Sequence, residues 1–195
     1  DHLSEPLTWD DSKIYNRGKV LSAADLENME RFGRYLDTDG DAIPYRTYPG
    51  THPTKGSFFT RGTSKDEYAI YTEDGAAYKR NMEMLLQKFE TAKTLVPQPH
   101  LFQEEKNNAV GILFYGTSIY AAQEALHLLK QENIHLDAIR VKAFPFNQDV
   151  ENFIKTHDKI YVVEQNRDAQ LRSLIMIQMG INPEKLIPVL NYAGM

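Results

Sequence analysis

The stretch from Val110 to Tyr115, VGILFY, narrows the possible folds more than any other part of the chain. A strand with one wet face alternates apolar and polar residues, whereas an unbroken apolar run belongs to a strand covered on both faces. Gly116, Thr117 and Ser118 end the run, and Ile119, Ala122, Leu126 and Leu129 then recur at helical spacing, with Gln123, Glu124 and Lys130 on the opposite side. The unit repeats. Ala138 to Phe144 reads as a strand, Asn147 as the N-cap of a helix over DVENFIKTH, Lys159 to Glu164 as a strand, Gln170 to Met179 as a helix, and Leu186 to Leu190 as a short strand. Strands alternating with helices predict an α/β domain: a mainly parallel sheet, right-handed crossovers and helices on both faces.

The preceding half has a different texture. LVPQPHLFQEEKNN combines prolines with a polar, charged run, so the expected divisions are residues 1–96 as an irregular arm and connecting helix, 97–108 as a linker, and 109–195 as the α/β domain. Ala24 to Arg34 reads as a short helix capped by Ser22. Tyr78 to Val96 reads as a longer one, with Tyr78, Met82, Leu85, Phe89 and Ala92 on one face. Between them runs Arg46 to Asp74, RTYPGTHPTKGSFFTRGTSKDEYAIYTED, which follows no period. Connections in compact domains usually take about 4–6 residues, so an arm this long needs something to hold it.

The balance of charge limits the partners. A formal net charge of −5 with no basic block argues against general binding to nucleic acid or anionic lipid. No apolar run approaches the roughly 20 residues of a membrane span. The absence of cysteine leaves no disulfide and no thiolate for an iron–sulfur cluster, and fits a cytoplasmic protein. The beginning, DHLSEPLTWDD, has neither an initiating Met nor a secretory signal, and is expected to lie partway along a longer chain.

Several motifs invite chemistry. DTDGD at Asp37 to Asp41 lacks the Gly and Glu positions of an EF-hand and reads as a turn, with an irregular cation contact as the other reading. YGTS at Tyr115 to Ser118 joins strand to helix, where exposed amides can bind phosphate. With no GxGxxG, Thr117 or Ser118 is expected simply to cap the helix. The six histidines show no zinc-site pairing, and His127 and His157 read as surface or boundary residues, so no metal is predicted. His52 shares its loop with Lys55 and Arg61. That set suits either an anionic substrate or phosphate, or a tie to a neighbouring subunit. Glu164, Gln165 and Asn166 fall at the carboxyl end of a predicted parallel strand, the edge where α/β proteins build sites, with Arg172 in the helix that follows. Glu164 or Asn166 can cap that helix while Arg167 and Arg172 pair locally, or the set can contact a ligand or subunit.

Long motifs then point to a family. RTYPGTHPTKGSFFTRGTSKDEY, YTED, NMEMLLQKFETAKTLVP, AFPF (Ala143 to Phe146) and YVVEQNRDAQLRSL (Tyr161 to Leu174) closely resemble the alpha chain of 2-oxoacid:ferredoxin oxidoreductases, especially the 2-oxoglutarate type, from about Arg17 to Met195. The resemblance implies a transketolase C-terminal-like α/β domain. It also implies an enzyme that decarboxylates a 2-oxoacid on thiamine diphosphate, passes electrons through iron–sulfur clusters to ferredoxin and transfers the acyl group to coenzyme A. Thiamine diphosphate, magnesium and the cluster would be held in the full enzyme, none by this chain alone. Its partners would be the beta subunit and the N-terminal domains of the alpha chain, with ferredoxin and coenzyme A at the level of the complex. This piece would supply interfaces and be inactive alone, with no catalytic residue of its own. Lys65 stands where relatives often carry a histidine before the DE of the arm. Two other readings are a noncatalytic oligomerisation module and an independent nucleotide-binding α/β domain.

Overall fold

Three strands rich in apolar residues assemble side by side, the middle one apolar along its whole length and so in need of cover on both faces. They are β2 (Val110–Tyr115), β3 (Asp137–Val141) and β4 (Lys159–Glu164), joined by β5 (Leu186–Leu190), and all of these pair in parallel. A fifth strand, β1 (His100–Phe102), lies antiparallel against β3, giving the order β1-β3-β2-β4-β5. The computed structural model describes residues 9–62, 64–102 and 108–193. The first residues of the chain and the middle of the expected linker lie outside these. The chain divides into two compact units between Thr94 and Leu95.

In the C-terminal unit the helices α3 (Ile119–Gln131), α4 (Gln148–Thr156) and α5 (Gln170–Met179) connect the parallel strands. Side-chain alternation sends Leu113, Ile139, Ile160 and Val162 to one face, where Val150, Phe153, Ile154 and Ile175 of α4 and α5 cover them. Ile112, Phe114 and Ala138 point to the other face and meet Ile119 and Ala122 of α3. The sheet is therefore covered on both sides, as the apolar runs require. Asn147 caps α4 by accepting from Val150 N at 3.2 Å. The strand expected to reach Phe144 stops at Val141. Pro145, which has no N–H to give a ladder, follows shortly after.

His157 corrects an expectation. It is 3% exposed, tilted against Phe153 at 4.2 Å between ring centres, with Nε2 3.2 Å from Oδ2 of the buried Asp137 and Nδ1 2.7 Å from Phe153 O. It lies in the core because Asp137, at the start of β3, provides a polar partner there.

The N-terminal unit holds α1 (Ala23–Asn28) and α2 (Gly75–Leu95), with irregular chain between them. Ser22 and Asp25 form a reciprocal capping box at the start of α1. The helix ends at Asn28, short of the expected Arg34, because Lys55 of the arm takes its last carbonyls.

Gly111 offers a direct test of packing. A Cβ at this position would lie 2.7 Å from Phe153 Cζ and 3.2 Å from His157 Cδ2. Gly111→Ala is expected to destabilise the C-terminal unit by about 1–3 kcal/mol through overpacking. Adding Phe153→Leu should recover part of that loss, so that urea unfolding reports a non-additive pair.

Candidate functional site

Where β2 and β4 lie side by side, the chain leaves β2 for α3 on one face and leaves β4 for α5 on the other. Loops that part in this way open a crevice at the carboxyl edge of a parallel sheet, the usual ligand position in such folds. Here the two loops are tied together by Thr117 Oγ1 donating to Gln165 Oε1 at 3.1 Å. Neither Thr117 nor Ser118 caps α3 through its side chain, contrary to the sequence reading.

Glu164 is wholly buried at this edge. Its carboxylate accepts from Leu171 N at 2.8 Å, Arg172 N at 2.9 Å and Asn166 Nδ2 at 2.7 Å. Asn166 Oδ1 accepts from Asp168 N and Gln170 N. The unpaired amides at the start of α5 thus find their acceptors in two side chains, and the negative charge sits at the positive end of the helix. Arg172 donates to Leu186 O at 2.7 Å and Pro183 O at 2.9 Å, fastening α5 to β5 and the turn before it. Glu164, Asn166 and Arg172 build the edge, and Gln165 is exposed upon it.

Beside this edge lies a cavity of about 360 Å³, walled by Tyr115, Gly116, Phe144, Phe146, Leu171 and Arg140 among others. Arg140 Nη2 donates to Gly116 O at 3.2 Å, while its Nε is buried without a hydrogen-bond partner. A cation set among aromatic walls can receive a planar or anionic group. Sequence reading passed over Arg140, although an arginine inside the apolar run AIRV was a signal that could have found it.

In the N-terminal unit the arm closes on α1. His52, whose side chain is 5% exposed, places Nε2 2.7 Å from Glu27 Oε1, and its Nδ1 accepts from Thr54 N and Lys55 N at 3.1 and 2.9 Å. Two amides donating to Nδ1 leave the proton on Nε2, directed at Glu27. Lys55 Nζ donates at 3.1 Å to each of Leu26 O, Glu27 O and Met29 O, capping the C-terminal end of α1. Gly56, at φ 81°, presses on Leu26, where a Cβ would come within 2.8 Å of Cδ1. His52 and Lys55 thus bind the arm to its own chain. Arg61 stands apart, its guanidinium 5.7 Å from the centre of the Tyr71 ring. His52 and Lys55 also border a cavity of about 380 Å³ with Tyr48 and Phe58.

Asp37, Asp39 and Asp41 cluster closely enough to hold a cation. The ammonium of Lys19 already contacts Asp39 and Asp41 at 2.6 Å each, and Asp37 accepts from Gly40 N and Ala42 N. Among the described residues the most closely grouped carboxylates are already engaged, and an iron–sulfur cluster would find no thiolate. Glu164 has its oxygens engaged, the aspartate trio faces a lysine, and the sequence contains no cysteine.

No family model matches the chain. It is 26% identical over 187 residues to the alpha subunit of 2-oxoacid:ferredoxin oxidoreductase 2 from Aeropyrum pernix, covering 93% of this chain and 28% of that protein. The fold superposes with a TM-score of 0.74 on 2-oxoglutarate:ferredoxin oxidoreductase from Magnetococcus marinus, solved with 2-oxoglutarate, coenzyme A and succinyl-CoA bound, at 24% identity over 91% of this chain and 29% of that one. The chain therefore spans under a third of either relative, and its likeness to this enzyme family, read first from the motifs, extends along nearly its whole length.

Two outcomes follow from these contacts. Glu164→Gln turns an amide N–H₂ toward donors that need acceptors, and is expected to cost about 1–3 kcal/mol, with faster hydrogen exchange at Leu171 and Arg172. In the N-terminal unit the hydrogen bond from His52 holds the Glu27 carboxyl below its usual range, and that from Lys19 does the same for Asp41. The stability these carboxylates contribute is complete above the ordinary carboxylate range and is lost as pH falls through their lowered values. Acidification below about pH 4 should loosen the arm, seen as loss of amide protection near His52, and Glu27→Gln should flatten that response.

Proposed function

We propose that this chain is the C-terminal region of the alpha subunit of a thiamine diphosphate-dependent 2-oxoacid:ferredoxin oxidoreductase whose acid is 2-oxoglutarate. In the reaction the acid loses carbon dioxide, its acyl group forms a thioester with coenzyme A, and two electrons pass to ferredoxin. The observation that carries the reading is the match along nearly the whole chain to an alpha subunit of this class, joined to the shared fold. The cofactor chemistry then belongs to the rest of the complex, located in the cytoplasm. This region contributes the walls: the arm held by His52 and Lys55, with Arg61 at its surface, and the carboxyl edge built by Glu164, Gln165, Asn166 and Arg172. The beta subunit and the preceding alpha-chain domains are the surfaces it meets, and alone it is inactive.

The test is an anaerobic pull-down from the source cells through a tag on the native gene, followed by coenzyme A-dependent dye reduction with 2-oxoglutarate and pyruvate in parallel. The expected outcome is a longer tagged chain, a cysteine-rich partner and turnover that favours 2-oxoglutarate. A lone chain of 195 residues without activity overturns the reading. Preference for pyruvate overturns the choice of acid.

A further inference from the structure

On α2, Tyr78, Met82, Leu85 and Phe89 follow one another at four-, three- and four-residue steps, the spacing of a helix seam. A stripe of this kind ordinarily faces its own core. Here Tyr78 is 47% exposed, Met82 37% and Leu85 43%, and the neighbouring Leu86 is 69% exposed. Of the helix's 21 residues, Ala77 alone is buried.

The charges around the stripe lean one way. With Met82 and Leu85 on the seam, Lys79 and Lys88 fall at its flanks. Lys79 is within 3.6 Å of Glu83, whereas Lys88 has no carboxylate within 4 Å among the described residues. Next to the stripe is a hollow of about 290 Å³ between α2 and the chain preceding it, with Tyr35, Met82 and Leu85 as apolar wall and Arg34, Lys65 and Lys88 at its border. Arg34 lies over the rings of Tyr35 and Phe58, and Lys65 lies over Tyr35 and donates to Gly62 O. Like Lys88, neither has a carboxylate partner among the described residues. Three cations without an acid, grouped about an apolar hollow in a chain of net charge −5, form a local reversal of sign.

Pairing with a second copy of the chain would set flanking lysines against lysines, an arrangement that coiled coils use to reject a partner. We propose that this face receives an amphipathic helix of a partner protein, with an apolar seam flanked by Asp and Glu and one large apolar side chain entering the hollow. The inference stands independently of the oxidoreductase reading, since its test reads binding and not turnover.

The probe is a synthetic amphipathic peptide of about three heptads with Leu at seam positions and Glu at the flanks, compared with the same peptide carrying Lys at the flanks. Titrated into the full chain at low salt, the Glu peptide is expected to bind about tenfold more tightly than the Lys peptide, and the gap should narrow in high salt. Lys65→Glu with Lys88→Glu should reverse the preference, and Leu85→Asp should weaken both peptides, with circular dichroism confirming that the variants remain folded. Equal binding of the two peptides or no binding of the Glu peptide overturns the proposal. So does self-association of the chain that Leu85→Asp abolishes.

Discussion

The carboxyl edge of the sheet depends on the buried carboxylate of Glu164. Three N–H donors converge on it, and two belong to the first turn of α5. A charge so fully withdrawn from water would be costly unless its acceptors were satisfied and the local field favoured it. The start of a helix supplies both conditions, since its unpaired amides and the positive end of its dipole face the same point. That position is also where α/β folds often hold a ligand's phosphate. In this protein a side chain already occupies it. The open space beside this edge is the neighbouring cavity, where Arg140 keeps a buried Nε without a partner.

The arm follows the opposite polarity. Lys55 places a positive charge on the carbonyls at the end of α1, while His52 takes up two amides of its own loop and turns its other nitrogen to Glu27. A helix of six residues is too short to persist by its own hydrogen bonds. An arm without regular structure also has backbone groups that need partners. Each supplies what the other lacks, and the length of the arm follows from this mutual support. The histidine singled out as a possible ligand group is a structural hub of the arm, fixed in one tautomer by its neighbours.

Legibility in the sequence tracked the range of the interactions involved. The strands and helices of the C-terminal unit could be read from their periods, because burial on both faces imposes continuous apolar runs and a stripe imposes helical spacing. Asn147 could be read as a cap because its partner is Val150, three residues away. β1 escaped because three residues, HLF, set between prolines and a polar run carry no period. The end of α1 escaped because Lys55, which fixes it, is remote in sequence. His157 was placed at the boundary because its burial depends on Asp137, which β3 brings in from twenty residues away. Arg140 was missed for a related reason: its surroundings come from the ends of two strands and from α5.

What the polar groups are doing bears on where reactivity can reside. Glu164, Asn166 and Arg172 hold α5, His52 and Lys55 hold α1, His157 and Asp137 hold each other, and Lys19 faces the aspartates of the one acidic trio able to take a cation among the described residues. Groups engaged in this manner orient the elements that carry them. The cations without acids, Arg34, Lys65 and Lys88, instead surround an apolar hollow beside an exposed helix stripe. Groups disposed in that way suit recognition of a surface of opposite charge.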